Sequence, residues 1–431
     1  MSMLSRYALN IFAYRMNITN KIETCGISST VEEEATAYSV EQHHISTMNP
    51  SHQEEADSGS DGYNNEEELS NTHTASRWRR DDGILIAENT LHILKSGWYD
   101  AVDNTRVVVS QDVKFAVTNT VLYPFDAFNL KATAAPYINS STVLHVTHCT
   151  TLQAARSLSS QGFDVGVLNF ASAKNPGGGF LRGANAQEES IARSSALYWC
   201  ISQDSTLSYY QRNRNDRLCL YTHTMIYSPR VPILKNDVGT LLLRPYYCGI
   251  VTCPAPNAGV ASKRHRNWAW MVRDEMDERI RRILLVFQTH MHDALVLGAW
   301  GCGVFQCDPY MVAALFKRHL KSPAFKNSFK HITFAILDEK MCAVFNEVFA
   351  DTEPIENLLQ EIAQRSERTR RSKVKDKVSI EAAKLLVRGA VSGAICDCKT
   401  KCGMKHCPCK KVGVPCSTKR HVKQRGCLNS T

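Results

Sequence analysis

The stretch VGVLNFASAKNPGGGFLRGANAQEES, residues 165–190, decides how this chain folds. Its first six residues are almost continuously apolar, without the alternation of a half-exposed strand. That texture predicts a strand buried on both faces of a sheet. Three consecutive glycines follow, and then QEESIARSSALYWC, which reads as a helix opening on Gln187, Glu188 and Glu189. A buried strand, a glycine loop and a helix in that order place the loop beyond a strand's C-terminal end, where open α/β sheets hold their ligands.

Outward from this unit the same grammar recurs. TVLHVT (142–147), CGIVTCPA (248–255), ALVLGAW (294–300) and ITFAIL (332–337) are short apolar runs. LQAARSLSSQ, HRNWAWMVRDEMDERIRRILLVFQ, DPYMVAALFKRHL and EKMCAVFNEVF carry helical periodicity between them, with NWAWM expected to pack. The alternation predicts an α/β fold, a three-layer α/β/α sandwich with helices over both sheet faces. A second glycine stretch, GCGVF, follows LVLGAW and falls at the same kind of position. Before the sheet, RRDDGILIAENTLHILKSG reads as an amphipathic helix with Ile84, Ala87, Leu91 and Leu94 on one face.

Glycines without Cβ atoms let backbone N–H groups turn toward an anion, and a helix N-terminus beyond adds partial positive charge. Gly177, Gly178 and Gly179 with Gly301 and Gly303 are therefore candidate walls of a diphosphate site; a lone GGG also serves as a plain strand-to-helix turn. An acid pair in a first helical turn is favoured by the helix dipole alone. Neighbours on a helix point about 100° apart. Glu188 and Glu189 therefore cannot flank one bond as glycosidase pairs do, and in catalysis one acid would do the chemistry and the other hold substrate.

The charge is uneven. Arg365 to Thr431 carries 18 Lys/Arg against 4 Asp/Glu, a surplus of 14 in a chain whose net charge is +9. A slightly acidic body thus bears a basic tail suited to a polyanion. No apolar run reaches the roughly 18–20 residues of a membrane span. Of 16 cysteines, seven crowd the C-terminus, and no secretory signal opens the chain, so reduced thiols with metal ligation at one end are expected. Residues 28–76 are polar and acidic without periodicity and read as disordered. The first 22 residues, with Arg6, Arg15 and Lys21 but no acid, fit either a mitochondrial presequence or a plain leader. The expected divisions are a leader (1–76), a body (77–350), a charged helical linker (351–393) and a Cys-rich basic module (394–431). His145, His148, His290, His292 and His331 are scattered and read as core or surface histidines, and Cys302 lacks the partnered His of a nucleophile.

NPGGGF followed by QEE, with seven residues between Gly179 and Gln187, resembles the motif of the poly(ADP-ribose) glycohydrolases, a macrodomain-related family. RRDDGILIAENTLHIL, VLNFASAKNPGGGF, MIYSPRVPIL, CPAPN and GAWGCGVF resemble its microbial-type branch, over about Arg77 to Ala350. The resemblance implies a macrodomain-like sandwich with an N-terminal helical extension and catalysis without a cofactor. It implies Glu189 as the acid/base that protonates the leaving ribose oxygen and then activates water, a role eased by a raised pKa in a sequestered site. Glu188 would hold the ribose hydroxyls and Gln187 the loop. Asn169 and Gly177 to Gly179 would line an ADP-ribose pocket, with Gly301, Gly303, Val304 and Phe305 as a second phosphate loop. The family commonly has Gly-Asn where this chain has Gln306-Cys307.

CDCKTKCGMKHCPCKKVGVPCSTKRH is similar to tesmin/TSO1-like CXC modules, with Arg420 where another cysteine is expected and His406 where DNA-binding members often have Tyr. Cys396, Cys398, Cys402, Cys407, Cys409, Cys416, Cys427 and His421 supply eight ligands, enough for about two tetrahedral zinc ions. The sequence therefore predicts a hydrolase acting on poly(ADP-ribose) or ADP-ribosylated proteins, with a zinc-stabilised tail whose polyanionic partners include DNA. Its rivals are a non-catalytic ADP-ribose-binding module and a CXC-type DNA-binding protein with a vestigial hydrolase body. Nuclear, cytoplasmic and mitochondrial locations all fit.

Overall fold

The structure, a computed structural model, describes residues 80–126, 141–352, 354–362 and 364. The leader, most of the charged linker and the whole Cys-rich module with its eight expected zinc ligands lie outside the described residues. In chain order come helix α1 (Arg80–Ser96), a hairpin of β1 (Trp98–Asp100) and β2 (Arg106–Val108), α2 (Ser110–Thr118), β3 (Val121–Tyr123), β4 (Val143–Thr147), α3 (Thr151–Ser160) and β5 (Val165–Phe170). There follow α4 (Gln187–Ser194), α5 (Leu197–Ile201), α6 (Leu207–Arg214), β6 (Met225–Lys235), β7 (Leu241–Cys253), α7 (Ala258–Arg264), α8 (Trp268–Thr289), β8 (Ala294–Leu297), α9 (Pro309–Lys321), β9 (His331–Ala335) and α10 (Glu339–Ala350).

The strands form one seven-stranded mixed sheet in the order β3-β6-β7-β5-β8-β9-β4. From β7 across to β4 every neighbour is parallel, while β3, β6 and β7 pair antiparallel. In the centre, β5 is buried along almost its whole length, as its apolar run requires. Side chains alternate across it: Val165 and Val167 join a core with Leu152 and Leu158 of α3 and Ile191 of α4. Gly166 faces the other way, where an added Cβ would sit 2.6 Å from Phe287 of α8. Phe334 of β9 meets Phe316 of α9 and Phe345 of α10 on that same side. Helices thus cover both faces, and each fully buried aliphatic side chain contributes roughly 1.5–3 kcal/mol.

Helix starts follow local chemistry. Thr150 forms a capping box with Gln153, Asp308 accepts from the Tyr310 and Met311 amides ahead of Pro309, and Asp338 caps Met341. In α1 the inward positions are Gly83, Ala87, Thr90, Ile93 and Leu94, so the expected stripe is rotated and Ile84 and Leu91 lie only half-buried. Burial also continues past Ala350, with Leu359 and Ile362 each 7% exposed.

β6 has no counterpart among the strands read from sequence, because Pro229 and Pro232 interrupt its apolar run, whereas CGIVTCPA is the second half of β7. The sheet absorbs the prolines at a bulge: Pro229 and Arg230, between the pairs Ser228–Ile250 and Val231–Cys248, face the single residue Gly249 on β7, and Arg230 takes a φ of 47°. Beside that bulge His290 and His292 are buried, His290 bonded to Tyr123 (2.8 Å) and His292 to Tyr227 and Asp164 (both 2.9 Å). Trp270 departs from the packing expected of NWAWM and is 61% exposed.

Candidate active site

Three loops leave the same edge of the sheet. Parallel pairing aligns Val165 with Ala294 and Phe170 with Cys253, so the loops after β5, β8 and β7 emerge side by side. The first carries Gly177–Gly179, the second Gly301–Phe305 and the third CPAPN. Register therefore brings together two glycine stretches more than a hundred residues apart in sequence.

The acids reach this edge through Gln187. Pairing of β5 with β8 ends at Val167, where β5 outruns its partner. Gln187 Oε1 accepts from the Phe170 amide (2.8 Å), and Nε2 donates to the Leu168 carbonyl (2.8 Å) and to Thr151 Oγ1 (3.2 Å). One amide side chain thereby satisfies strand groups that lack a ladder partner and docks α4 on β5. Glu188 and Glu189 then fall beneath the glycine loop.

The two acids occupy different environments. Glu188 is 3% exposed; its Oε2 accepts from the Ser172 amide (2.6 Å), and Asn169 Nδ2 lies 3.4 Å from its Oε1. Desolvation dominates there and pushes the Glu188 carboxyl up to about 8; the Ser172 amide opposes the shift and the neighbouring Glu189 charge adds to it. Glu189 is half-buried, and its Oε1 accepts from the Gly179 amide at 2.9 Å. The deeper burial thus falls on Glu188, whereas the resemblance implies the acid/base role at Glu189.

Glycine is obligatory in the middle of the loop. Gly177 and Gly178 have φ of 65° and 60°. A Cβ on Gly178 would lie 2.3 Å from Glu189 Oε1 and 3.1 Å from Glu188 Oε2, so the bare backbone rests directly on both carboxyl groups. Gly301, at φ 79°, presses on the CPAPN loop, where a Cβ would meet Ala255 at 2.5 Å. Gly303 faces open space, Val304 is 82% exposed, and the half-buried Phe305 ring lies 6.1 Å from Tyr221. Gln306 adopts φ 57°, a left-handed position at the point where the family motif has glycine.

Asn169 is wholly buried under the loop, donating to Thr252 Oγ1 (3.2 Å) as well as approaching Glu188. Cys302 is buried and burial pushes its thiol well above the ordinary range, an environment that suppresses the thiolate.

Several supporting residues escaped the sequence reading. Arg193 of α4 donates to the Ala184 carbonyl (2.5 Å) and Asn185 (2.8 Å), fixing the segment between the glycines and the acids. α1 clamps the same segment, with Arg80 Nε on the Arg182 carbonyl (2.8 Å) and Thr90 Oγ1 on the Arg193 carbonyl. Lys235, 1% exposed, completes the joint with bonds to Thr90 Oγ1 (2.7 Å) and the Ile86 carbonyl (3.0 Å). Arg279, fully buried, gathers the carbonyls of Pro254, Leu220 and Tyr221 at 2.9–3.0 Å and so anchors the CPAPN loop. In sequence these residues read as helix or strand faces, and only their carbonyl partners reveal them.

The chain is similar in sequence and fold to known proteins. Residues 87–236 match the family described as microbial-type PARG, catalytic domain. The crystal structure of the poly(ADP-ribose) glycohydrolase from Thermomonospora curvata is 37% identical, with a TM-score of 0.58 over 62% of this chain and 100% of that one. The same enzyme bound to the inhibitor ADP-HPD is 38% identical, with a TM-score of 0.55 over 62% of this chain and 99% of that one. The poly(ADP-ribose) glycohydrolase from Deinococcus radiodurans in complex with ADP-ribose is 40% identical, with a TM-score of 0.52 over 55% of this chain and 96% of that one. No curated protein matches the sequence.

Proposed function

This chain belongs to the microbial-type poly(ADP-ribose) glycohydrolases, and from that membership we propose that it hydrolyses the ribose–ribose O-glycosidic bonds of poly(ADP-ribose), releasing ADP-ribose. The observation that carries the reading is the seat of Glu188 and Glu189 directly under the backbone of Gly178, at the edge where both glycine loops emerge. Diphosphate on the loop amides puts the adjoining ribose over the acids.

In this reading Glu189, the more accessible carboxyl, donates its proton to the ribose oxygen that leaves as the glycosidic bond breaks. The resulting carboxylate takes a proton from water, whose oxygen bonds to the anomeric carbon. Proton and water are thus balanced over one turnover. Glu188, held by Ser172 and Asn169, stays in place and offers its protonated carboxyl to the ribose hydroxyls. No step requires a cofactor.

Purified protein incubated with poly(ADP-ribose) should release ADP-ribose, and Glu189→Gln should lose about 10²–10⁴-fold in turnover. Equal release by both proteins removes Glu189 from the mechanism. Tight ADP-ribose binding without release by wild type replaces the enzyme with a binding module.

The C-terminal basic segment is proposed as a zinc module that adds affinity for polyanions, the polymer and DNA among them. Its support is the donor set of seven thiols and His421 within a strongly cationic stretch. Elemental analysis should find about two zinc ions per chain. A metal-free protein overturns this part alone.

A further inference from the structure

The surface beside the site combines cations and an exposed aromatic ring in a way that neither the catalytic chemistry nor the packing requires. Lys174 lies three residues before Gly177, and Arg214 Nε donates to its carbonyl (3.0 Å). Arg264 donates to the Arg217 carbonyl, joining α7 to the segment after α6. α7 in turn touches the second glycine loop, since the Gly259 amide donates to the Phe305 carbonyl (3.0 Å). Past the end of α7 come exposed Arg266 and, in the first turn of α8, Trp270. Two guanidinium–carbonyl bonds and one main-chain bond thus connect this strip to both loops of the site.

Among the described residues none of Lys174, Arg214, Arg217, Arg264 and Arg266 pairs with a carboxylate. Asp216, the acid between them in sequence, has both oxygens occupied by the Leu218 (2.8 Å) and Tyr221 (2.6 Å) amides. The following turns of α8 differ: Arg273 pairs with Asp274, and Arg281 and Arg282 with Glu278. A solvated helix face normally mixes its charges in that way. Trp270, at 61% exposure, leaves a large apolar surface in water four residues beyond Arg266.

We infer that this strip, from Lys174 through Arg214, Arg217, Arg264 and Arg266 to Trp270, binds the ADP-ribose units of the polymer that lie beyond the two flanking the bond being cut. The inference rests on the glycohydrolase reading and extends it to chain length. The guanidiniums meet the repeating diphosphates, and an adenine stacks on Trp270. A single-stranded nucleic acid offers phosphates and bases too. Continuity of the strip with both glycine loops favours the polymer, whose end must occupy the pocket while the rest runs outward.

The test compares full-length wild type, W270A, R266E and R264E/R266E on long poly(ADP-ribose) and on a dimer of ADP-ribose, with polymer binding measured separately. Trp270 and Arg266 are exposed and outside the catalytic machinery, so these two variants fold even if R264E loosens the tie to Arg217. On long chains kcat/KM and affinity should fall about tenfold, while the dimer is cut within about twofold of wild type. The salt dependence of polymer affinity should become shallower by roughly one to two in log–log slope for R264E/R266E and stay unchanged for W270A. Equal losses on both lengths, or no loss on long chains, overturn the inference. A single-stranded oligonucleotide of matched charge that displaces the polymer at equal concentration overturns the assigned occupant. If wild type cuts neither substrate, the glycohydrolase reading falls, and the binding comparison still decides the strip.

Discussion

Gly178→Ala tests the contact on which the site depends. At φ 60° an alanine adopts a left-handed conformation at a cost of about 1–2 kcal/mol. Its Cβ would arrive 2.3 Å from Glu189 Oε1, and ordinary contact begins near 3.4 Å, so the carboxylate must retreat by about 1 Å. That retreat breaks the 2.9 Å bond from the Gly179 amide, a charge-assisted bond worth about 1–2 kcal/mol at a half-buried group. The sum, about 2–4 kcal/mol, lowers Tm by roughly 5–10 °C for a body of this size. Turnover falls further, because a catalytic group displaced by about 1 Å costs on the order of 10²-fold. Release of ADP-ribose from poly(ADP-ribose), read beside a thermal melt, measures both. Gly303→Ala is the control: its Cβ enters open space without a left-handed φ, so Tm stays within about 1 °C of wild type. A Gly178→Ala protein with wild-type kcat would refute the proposed apposition of loop and acid.

Three further perturbations probe separate features. Between about 4.5 and 8 folded Glu188 keeps a proton that the unfolded chain has released, so its contribution is full below 4.5 and is lost as pH rises through 8; thermal melts should show stability declining across this window by up to roughly 1 kcal/mol per pH unit relative to Glu188→Gln, and parallel pH profiles for the two proteins would contradict the burial argument. Cys302→Ala should keep turnover within about threefold, since burial suppresses its thiolate, whereas a loss of several orders of magnitude would restore it as a nucleophile. Gln306→Gly, which relieves a left-handed residue, should raise stability by about 0.5–1 kcal/mol in a denaturant titration, and destabilisation would mean that the side chain's packing against Gly259 outweighs its backbone strain.

Much of this protein was legible before any coordinates, because its decisive features are local. A fully apolar strand, three glycines and an acid-led helix in sequence predict a buried strand, a phosphate-sized turn and carboxyl groups at a helix start, and each depends on near neighbours alone. The capped helices α3, α9 and α10 were legible for the same reason. β6 was not: Pro229 and Pro232 oppose a central strand locally, and only pairing across a bulge overrules them. The sequence could not rank Glu188 against Glu189 by environment either. Adjacent in the chain and identical in kind, they differ because α4, docked through Gln187, turns one under the Ser172 amide into a dry interior and leaves the other at the loop. Burial and the carbonyl partners of Arg193, Lys235 and Arg279 come from segments far apart in sequence, where no periodicity or spacing records them. The residues of the candidate site are thus written in the chain, while the unequal burial of the two acids and the contacts that support them are set by long-range packing.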